Sequence, residues 1–342
     1  MAPLTRARAT SAHVPTPLMA DYYAQRASAG LIISEATGIS QQGLGWPNAP
    51  GIWSEEQATA WKSIVHAVHA AGGKIVSQLW HMGRLVHPDF LGGAKPVSAS
   101  ATTAPAFAHT HEGKKPYVES RALEAGEIQQ VVSDYRRAAK NALAAGFDGV
   151  QLHAANGYLV DQFLRDGTNQ RTDHYGGSIK NRLRLLLEVT DALIAGVGAK
   201  RTGVRLSPND DPQGCADDDS NNLFTAAATA LSDRKIAFLE MRASRAESTF
   251  RPATRQLVPQ IRGAFMGTLI LNSDYVFEDA TEALRSGSAD AISFGRTFLA
   301  NPDLPARFRR HATLNDPVVA TFYTPGADGY TDYPALDLST GE

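Results

Sequence analysis

Asp148-Gly149-Val150-Gln151-Leu152-His153-Ala154-Ala155-Asn156-Gly157-Tyr158-Leu159-Val160-Asp161-Gln162-Phe163-Leu164-Arg165 is the stretch whose reading decides the fold. Residues 148–153 have the length and apolar character of a short buried β-strand. His153, Asn156 and Tyr158 then crowd together before an apolar pattern resumes. A buried strand that ends on polar groups and leads into a helical pattern is one βα unit. In parallel α/β folds the C-terminal end of such a strand is where the functional groups collect.

The same unit recurs along the chain. Strand-like runs fall at 30–37, 74–81, 148–153, 200–207, 236–242, 267–272 and 289–295. Helical patterns lie at 17–28, 55–71, 125–145, 179–195, 221–233, 254–262, 275–286 and 303–310. Seven strands and eight helices favour a closed (β/α)8 barrel over an open doubly wound sheet. The missing strand belongs before the first helix, where Met1-Ala2-Pro3-Leu4 supplies only its last residues, so strand one is expected to be truncated. An unpaired buried edge would leave backbone donors and acceptors unsatisfied there. With no linker, repeat or low-complexity tract, residues 1–342 read as one domain.

Two segments exceed ordinary βα connections and are expected to cover the site: a lid at about 82–121, and a tail at 316–342 carrying Phe322, Tyr323, Tyr330 and Tyr333. Hydrophobic residues make up 43% and charged residues 20% of the 342, a globular composition. The 33 basic and 35 acidic residues nearly cancel and form no basic stripe, which argues against a nucleic-acid partner. No apolar run reaches the roughly 18 residues of a membrane span and the start is not a signal peptide, so the expectation is a cytoplasmic protein without a membrane partner. Cys215 is the sole cysteine, which excludes an intramolecular disulfide or a cysteine-ligated iron–sulfur cluster within the chain.

Polar groups end nearly every strand: Thr5, then Glu35 and Thr37, then Gln78, Trp80 and His81, then His153, Asn156 and Tyr158, then Arg205, Asn272, and Gly295-Arg296. They form a ring around one cavity. His153 and Asn156, three apart, face the same way in a helix-like turn and offer two neutral donors to a carbonyl or nitro oxygen. Tyr158 is then placed to give a proton to a carbanionic centre formed beside it. Trp80, Phe322 and Tyr323 are expected to line the pocket. Glu35, His81 and Asp161 are assigned to structural networks, and His109 and His111 have no evident partner. The acidic run 209–219 reads as a solvated loop without the ligand spacing of a calcium loop, and no metal site is expected.

HAANGYLxxQFLxxxxNxRxDxYGGSxxNR from His153, with PLTR at 3–6, YYAQRASAGLIISEAT from Tyr22, QLWHMGR from Gln78, VRLSP from Val204 and SFGRTFLANPDL from Ser293, resembles the Old Yellow Enzyme family over essentially the whole chain. Thr5, where another branch carries cysteine, makes it similar to the classical branch, which includes bacterial ene-reductases and N-ethylmaleimide reductases. The resemblance implies a bound FMN, a transient NADPH or NADH, and ping-pong reduction of an activated alkene such as an enone, maleimide or nitroalkene. His153 and Asn156 would anchor the substrate and Tyr158 would donate the proton. Arg205 would face the flavin's N1/O2 edge, Gln78 its pyrimidine edge and Thr5 its O4, with Pro3, Leu4 and Ala36 giving close backbone approach. Asn272, Ser273, Gly295 and Arg296, on the last two strand ends, would hold the phosphate.

No G-x-G-x-x-G follows a strand, so the nicotinamide cofactor is expected to have no fold of its own. The resemblance also implies some twenty residues before PLTR, which this sequence does not show. The single cysteine argues against a dienoyl-CoA reductase with an iron–sulfur relay. An FMN-binding barrel impaired by its short first strand is the alternative, and a monomer or homodimer is the expected assembly.

Overall fold

The computed structural model describes residues 1–208, 212–243 and 255–336. Among these, seven parallel strands pair in chain order: β1 (Ile32–Gly38), β2 (Ile75–Trp80), β3 (Gly149–His153), β4 (Thr202–Leu206), β5 (Phe238–Arg242), β6 (Thr268–Asn272) and β7 (Ala291–Ser293). Every strand is joined to its successor by a helical crossover, the arrangement that curls a parallel sheet on itself. Met1 and Ala2 hold the eighth position. The Met1 amino group donates to Leu31 O at 2.7 Å, Ile33 N donates to Met1 O at 3.1 Å, and Ala2 N donates to Phe294 O at 2.9 Å. Two residues thus bridge the sheet's two edges, and the (β/α)8 ring closes.

The helices form from local signals and dock by their apolar stripes. In α1 (Pro17–Ala24), proline sits at the first helical position, where its missing N–H costs nothing. Ser54 begins α2 (Glu55–Ala70) with a capping box, its Oγ accepting from Gln57 N at 3.2 Å while Gln57 Oε1 accepts from Ser54 N at 3.2 Å. Trp61, Ile64, Val65 and Val68 form its buried face, and Ile128, Val131, Tyr135, Ala138 and Ala142 that of α3 (Ala125–Ala144). These faces join the outer layer of the core between strands and helices. A separate cluster of Ile33, Val76, Phe238 and Ile270, from four strands, packs inside the ring.

Three expectations are adjusted. The helix expected at 179–195 is two, Ile179–Arg182 and Arg184–Val197. The one expected at 254–262 runs Val258–Ala264, and position 254 lies outside the described residues. The segment 82–121 is a structured insertion, with 3-10 turns at Gly83–Leu85 and Pro88–Phe90. Val97–Ser98 pairs with Arg121–Ala122, and a hairpin joins Phe107–Thr110 to Gly113–Pro116. These two pairings satisfy part of its backbone internally.

The tail is clamped to the chain's first residues. Arg6 Nη2 donates to Gly329 O at 2.7 Å, and Phe322 O accepts from Arg6 Nε at 3.1 Å and Arg8 Nη1 at 2.9 Å. Tyr330 is fully buried and stacks on Tyr22 with ring centroids 4.1 Å apart, and the Arg6 and Arg8 guanidiniums lie 5.0 and 4.6 Å from its ring. Residues 337–342 of the expected tail lie outside the described residues. Among the described residues no helix is long and apolar enough to cross a membrane.

Candidate active site

Six strands contribute to one buried polar chain beneath the barrel mouth. Gln78 Nε2 donates to Gln151 Oε1 at 2.7 Å, and Gln151 Nε2 to Glu240 Oε2 at 2.9 Å. Ser293 Oγ donates to Glu240 Oε1 at 2.6 Å. Arg205 lies beside the same carboxylate, with Nη1 2.6 Å from Glu240 Oε2, and its Nη2 donates to Asn272 Oδ1 at 2.8 Å. Asn272 Nδ2 in turn donates to Ser293 O at 2.8 Å. Register explains the convergence: Gln78 stands opposite Gln151, Arg205 opposite Glu240, and Asn272 opposite Ser293.

Above this chain opens a cavity of about 540 Å³, within the roughly 300–1,000 Å³ of small-molecule sites. Pro3, Leu4 and Thr5 form one wall, Arg205 part of the floor, and Asn272 and Ser273 a second wall. Gly295 and Arg296 lie at the far end, with Phe322 and Tyr323 from the tail over the rim. Arg296 begins a short helix, Arg296–Ala300, whose first-turn N–H groups have no partner within the helix. Ser273 and Asp274 adopt φ of 88° and 52°, a left-handed pair that is costly for non-glycine residues and is held at this wall.

Ala36, Gln78, Trp80, His153, Asn156 and Tyr158 do not line this cavity; they belong to the adjoining ends of β1, β2 and β3. His153 stands in register with Arg205. Its ring is buried, and that burial, with Arg205's charge nearby, holds its pKa well below the ordinary histidine value, so the imidazole is neutral near pH 7. Asn156 Nδ2 is 3.5 Å from His153 Nε2. That separation is long for a hydrogen bond and suits two donors that share one acceptor oxygen. Tyr158 makes edge contacts with His153 and Trp80, at centroid distances of 4.8 and 5.0 Å. Burial, with Tyr117 and Tyr323 near it, raises the phenol's pKa and keeps it protonated.

The helix-like turn expected between His153 and Asn156 is not what brings them together. Asn156 is left-handed, with φ of 62°, and its turn is braced by Ser207 Oγ accepting from Asn156 N at 2.7 Å and Asp161 Oδ2 accepting from Gly157 N at 2.8 Å. Asp161 is therefore structural, as is Glu35, which accepts from Arg6 N at 3.1 Å and Tyr23 Oη at 3.2 Å. His81 is buried and its pKa is pushed down to about 3. His109 does have partners, packing on Trp46 at 4.6 Å and near Tyr323 at 6.1 Å. In the acidic run, 209–211 lie outside the described residues. Asp217, expected to be solvated, has a buried side chain that accepts from Arg182 Nη1 and from the Asp166 and Asp219 backbone N–H groups.

Two residues of β5 escaped the sequence reading, which left that strand's end without a functional group. Glu240 is the hub of the polar chain. Arg242 lines the cavity and donates from Nε to Ser273 Oγ at 3.2 Å and from Nη1 to Asn156 Oδ1. The available signal was that two charged residues, two apart at the end of a buried strand, share one face.

Residues 1–315 match the model of the NADH:flavin oxidoreductase / NADH oxidase family. The structure superposes on that of the old yellow enzyme homologue from Zymomonas mobilis with a TM-score of 0.96 and 58% identity, covering 98% of this chain and 95% of that one. It superposes on morphinone reductase in complex with tetrahydroNAD with a TM-score of 0.94 and 46% identity, covering 100% and 94%. Among curated sequences, 12-oxophytodienoate reductase 7 of Oryza sativa subsp. japonica is 44% identical over 358 residues, 98% of this chain and 90% of that protein.

Proposed function

We propose that this chain, which belongs to the NADH:flavin oxidoreductase / NADH oxidase family as an Old Yellow Enzyme type flavoprotein, is an ene-reductase of activated alkenes. It is an FMN-dependent NAD(P)H oxidoreductase; the alkene, the order of events and the residue roles are the proposed part. The observation that carries the reading is the neutral His153 and the Asn156 amide, 3.5 Å apart beside a protonated Tyr158, at the edge of the cavity floored by Arg205.

The residues present fit FMN. The cavity has the volume for it, its far end offers first-turn N–H groups and Arg296 to a phosphate, and Arg205 Nε is buried without a hydrogen-bond partner among the described residues. Pro3, Leu4, Thr5, Ala36, Gln78 and Arg205 would hold the ring system, and Asn272, Ser273, Gly295 and Arg296 the phosphate end. When bound, FMN would supply the redox chemistry, relaying hydride between NAD(P)H and the β-carbon of the alkene in a ping-pong cycle.

The protein's own part is electrostatic and acid catalysis. His153 Nε2 and Asn156 Nδ2 donate to the carbonyl or nitro oxygen, and they are aimed at the atom on which negative charge grows during reduction. Tyr158 Oη, whose ring packs against His153, gives its proton to the α-carbon. Trp80, Phe322 and Tyr323 shape the apolar surround. The purified protein is expected to show flavin absorption bands that NADPH bleaches without oxygen and cyclohexenone restores. Bleaching without restoration would select an impaired flavin-binding barrel instead, and a preparation unable to take up FMN would sink both readings.

A further inference from the structure

Asn156 is an anchoring donor only if its NH₂ faces the ligand, and an amide side chain by itself has two nearly equivalent orientations. In this structure the choice is made chemically. A guanidinium has five donors and no acceptor, so the Asn156 atom that meets Arg242 Nη1 must be Oδ1. That contact leaves Nδ2 on the side of His153 Nε2, 3.5 Å away. The backbone offers no slack to undo it, because Asn156 is held left-handed and its N–H is bonded to Ser207 Oγ. Arg242 is itself steadied from the adjoining strand end by Ser273 Oγ at 3.2 Å. An amide whose oxygen accepts from a cation is also a stronger donor through its nitrogen, since chained hydrogen bonds polarise one another.

We infer that Arg242 is a positioning residue for alkene reduction, fixing the Asn156 amide so that its NH₂, beside His153, meets the carbonyl or nitro oxygen of the substrate. The inference rests on the anchoring role proposed above for His153 and Asn156. It assigns to the end of β5 a share in substrate binding that is distinct from holding the cofactor, although Arg242 borders the same cavity.

The test uses the FMN-loaded protein and cyclohexanone, a saturated ketone that is not reduced, titrated by the change in flavin absorbance. Arg242→Met is expected to weaken cyclohexanone about tenfold or more, the scale of a lost charge-assisted hydrogen bond, with FMN affinity within about twofold of wild type. Arg242→Lys, which keeps a cationic donor, should recover part of the loss, and it serves alone if Arg242→Met does not fold. In an Asn156→Ala background either substitution should have little further effect, because the coupling runs through that amide. An unchanged ketone affinity in Arg242→Met, a loss that adds in full to that of Asn156→Ala, or a parallel fall in FMN affinity would each overturn the positioning role. If Asn156→Ala itself binds cyclohexanone as wild type does, the anchoring reading fails and carries this inference with it. If Asn156→Ala weakens the ketone and Arg242→Met does not, only this inference fails.

Discussion

Glu240 lies 2.6 Å from Arg205, with its carboxylate wholly buried and the guanidinium nearly so. Arg205, proposed above to face the cofactor, is thereby also the counter-charge of a buried carboxylate. Glu240 cannot remain buried without its partner at small cost. Arg205→Met is therefore expected to destabilise the cofactor-free protein by about 3–5 kcal/mol in urea unfolding, and the double variant with Glu240→Gln to regain a large part of that. A single-variant loss below about 1 kcal/mol would mean that the carboxylate finds another counter-charge.

Tyr158→Phe keeps the ring contacts to Trp80 and His153 and removes only the acidic proton. Stopped-flow measurement of the two half-reactions is expected to show NADPH reducing the bound flavin at the wild-type rate. Reoxidation by cyclohexenone should be slowed about 10²–10⁴-fold. Equal slowing of both halves would argue that the phenol is structural.

Burial pushes the Glu35 carboxyl up to about 7 from 4.5, against the opposing pull of the Arg6 N–H and charge. The folded state then keeps a proton that the unfolded chain releases between those values. Its contribution to stability is fully present below the unfolded pKa and is lost as pH rises through the folded one, a fall of about 3 kcal/mol. Glu35→Gln should accordingly gain on wild type as urea-unfolding midpoints are compared from about pH 5 to about pH 8. A difference that is flat across this window would contradict the shift.

Tyr330 is buried, stacked on Tyr22, and its hydroxyl has no hydrogen-bond partner among the described residues. Tyr330→Ala is expected to cost about 3–5 kcal/mol and to expose the tail to limited proteolysis. The KM for cyclohexenone should rise as Tyr323 loses its support. Tyr330→Phe, which removes only an unsatisfied polar group, should be neutral or slightly stabilising. Equal losses from the two variants would place the effect in the hydroxyl.

The strand–helix repetition is legible in the sequence by itself, because the apolar periodicities of buried strands and docked helices are local properties that survive without the fold. So are the chemistry-bearing types at the strand ends: His153, Asn156, Tyr158 and Arg205 stand where a parallel barrel gathers its functional groups. What only the tertiary structure decides is which of these groups meet. Met1 and Ala2 close the ring through backbone bonds, which leave no signature in side-chain type. Glu240 becomes the hub of six strands through register across the sheet, and the orientation of Asn156 is set by Arg242, 86 positions away. Such contacts join residues far apart in the chain, so no local pattern of hydrophobicity or charge encodes them.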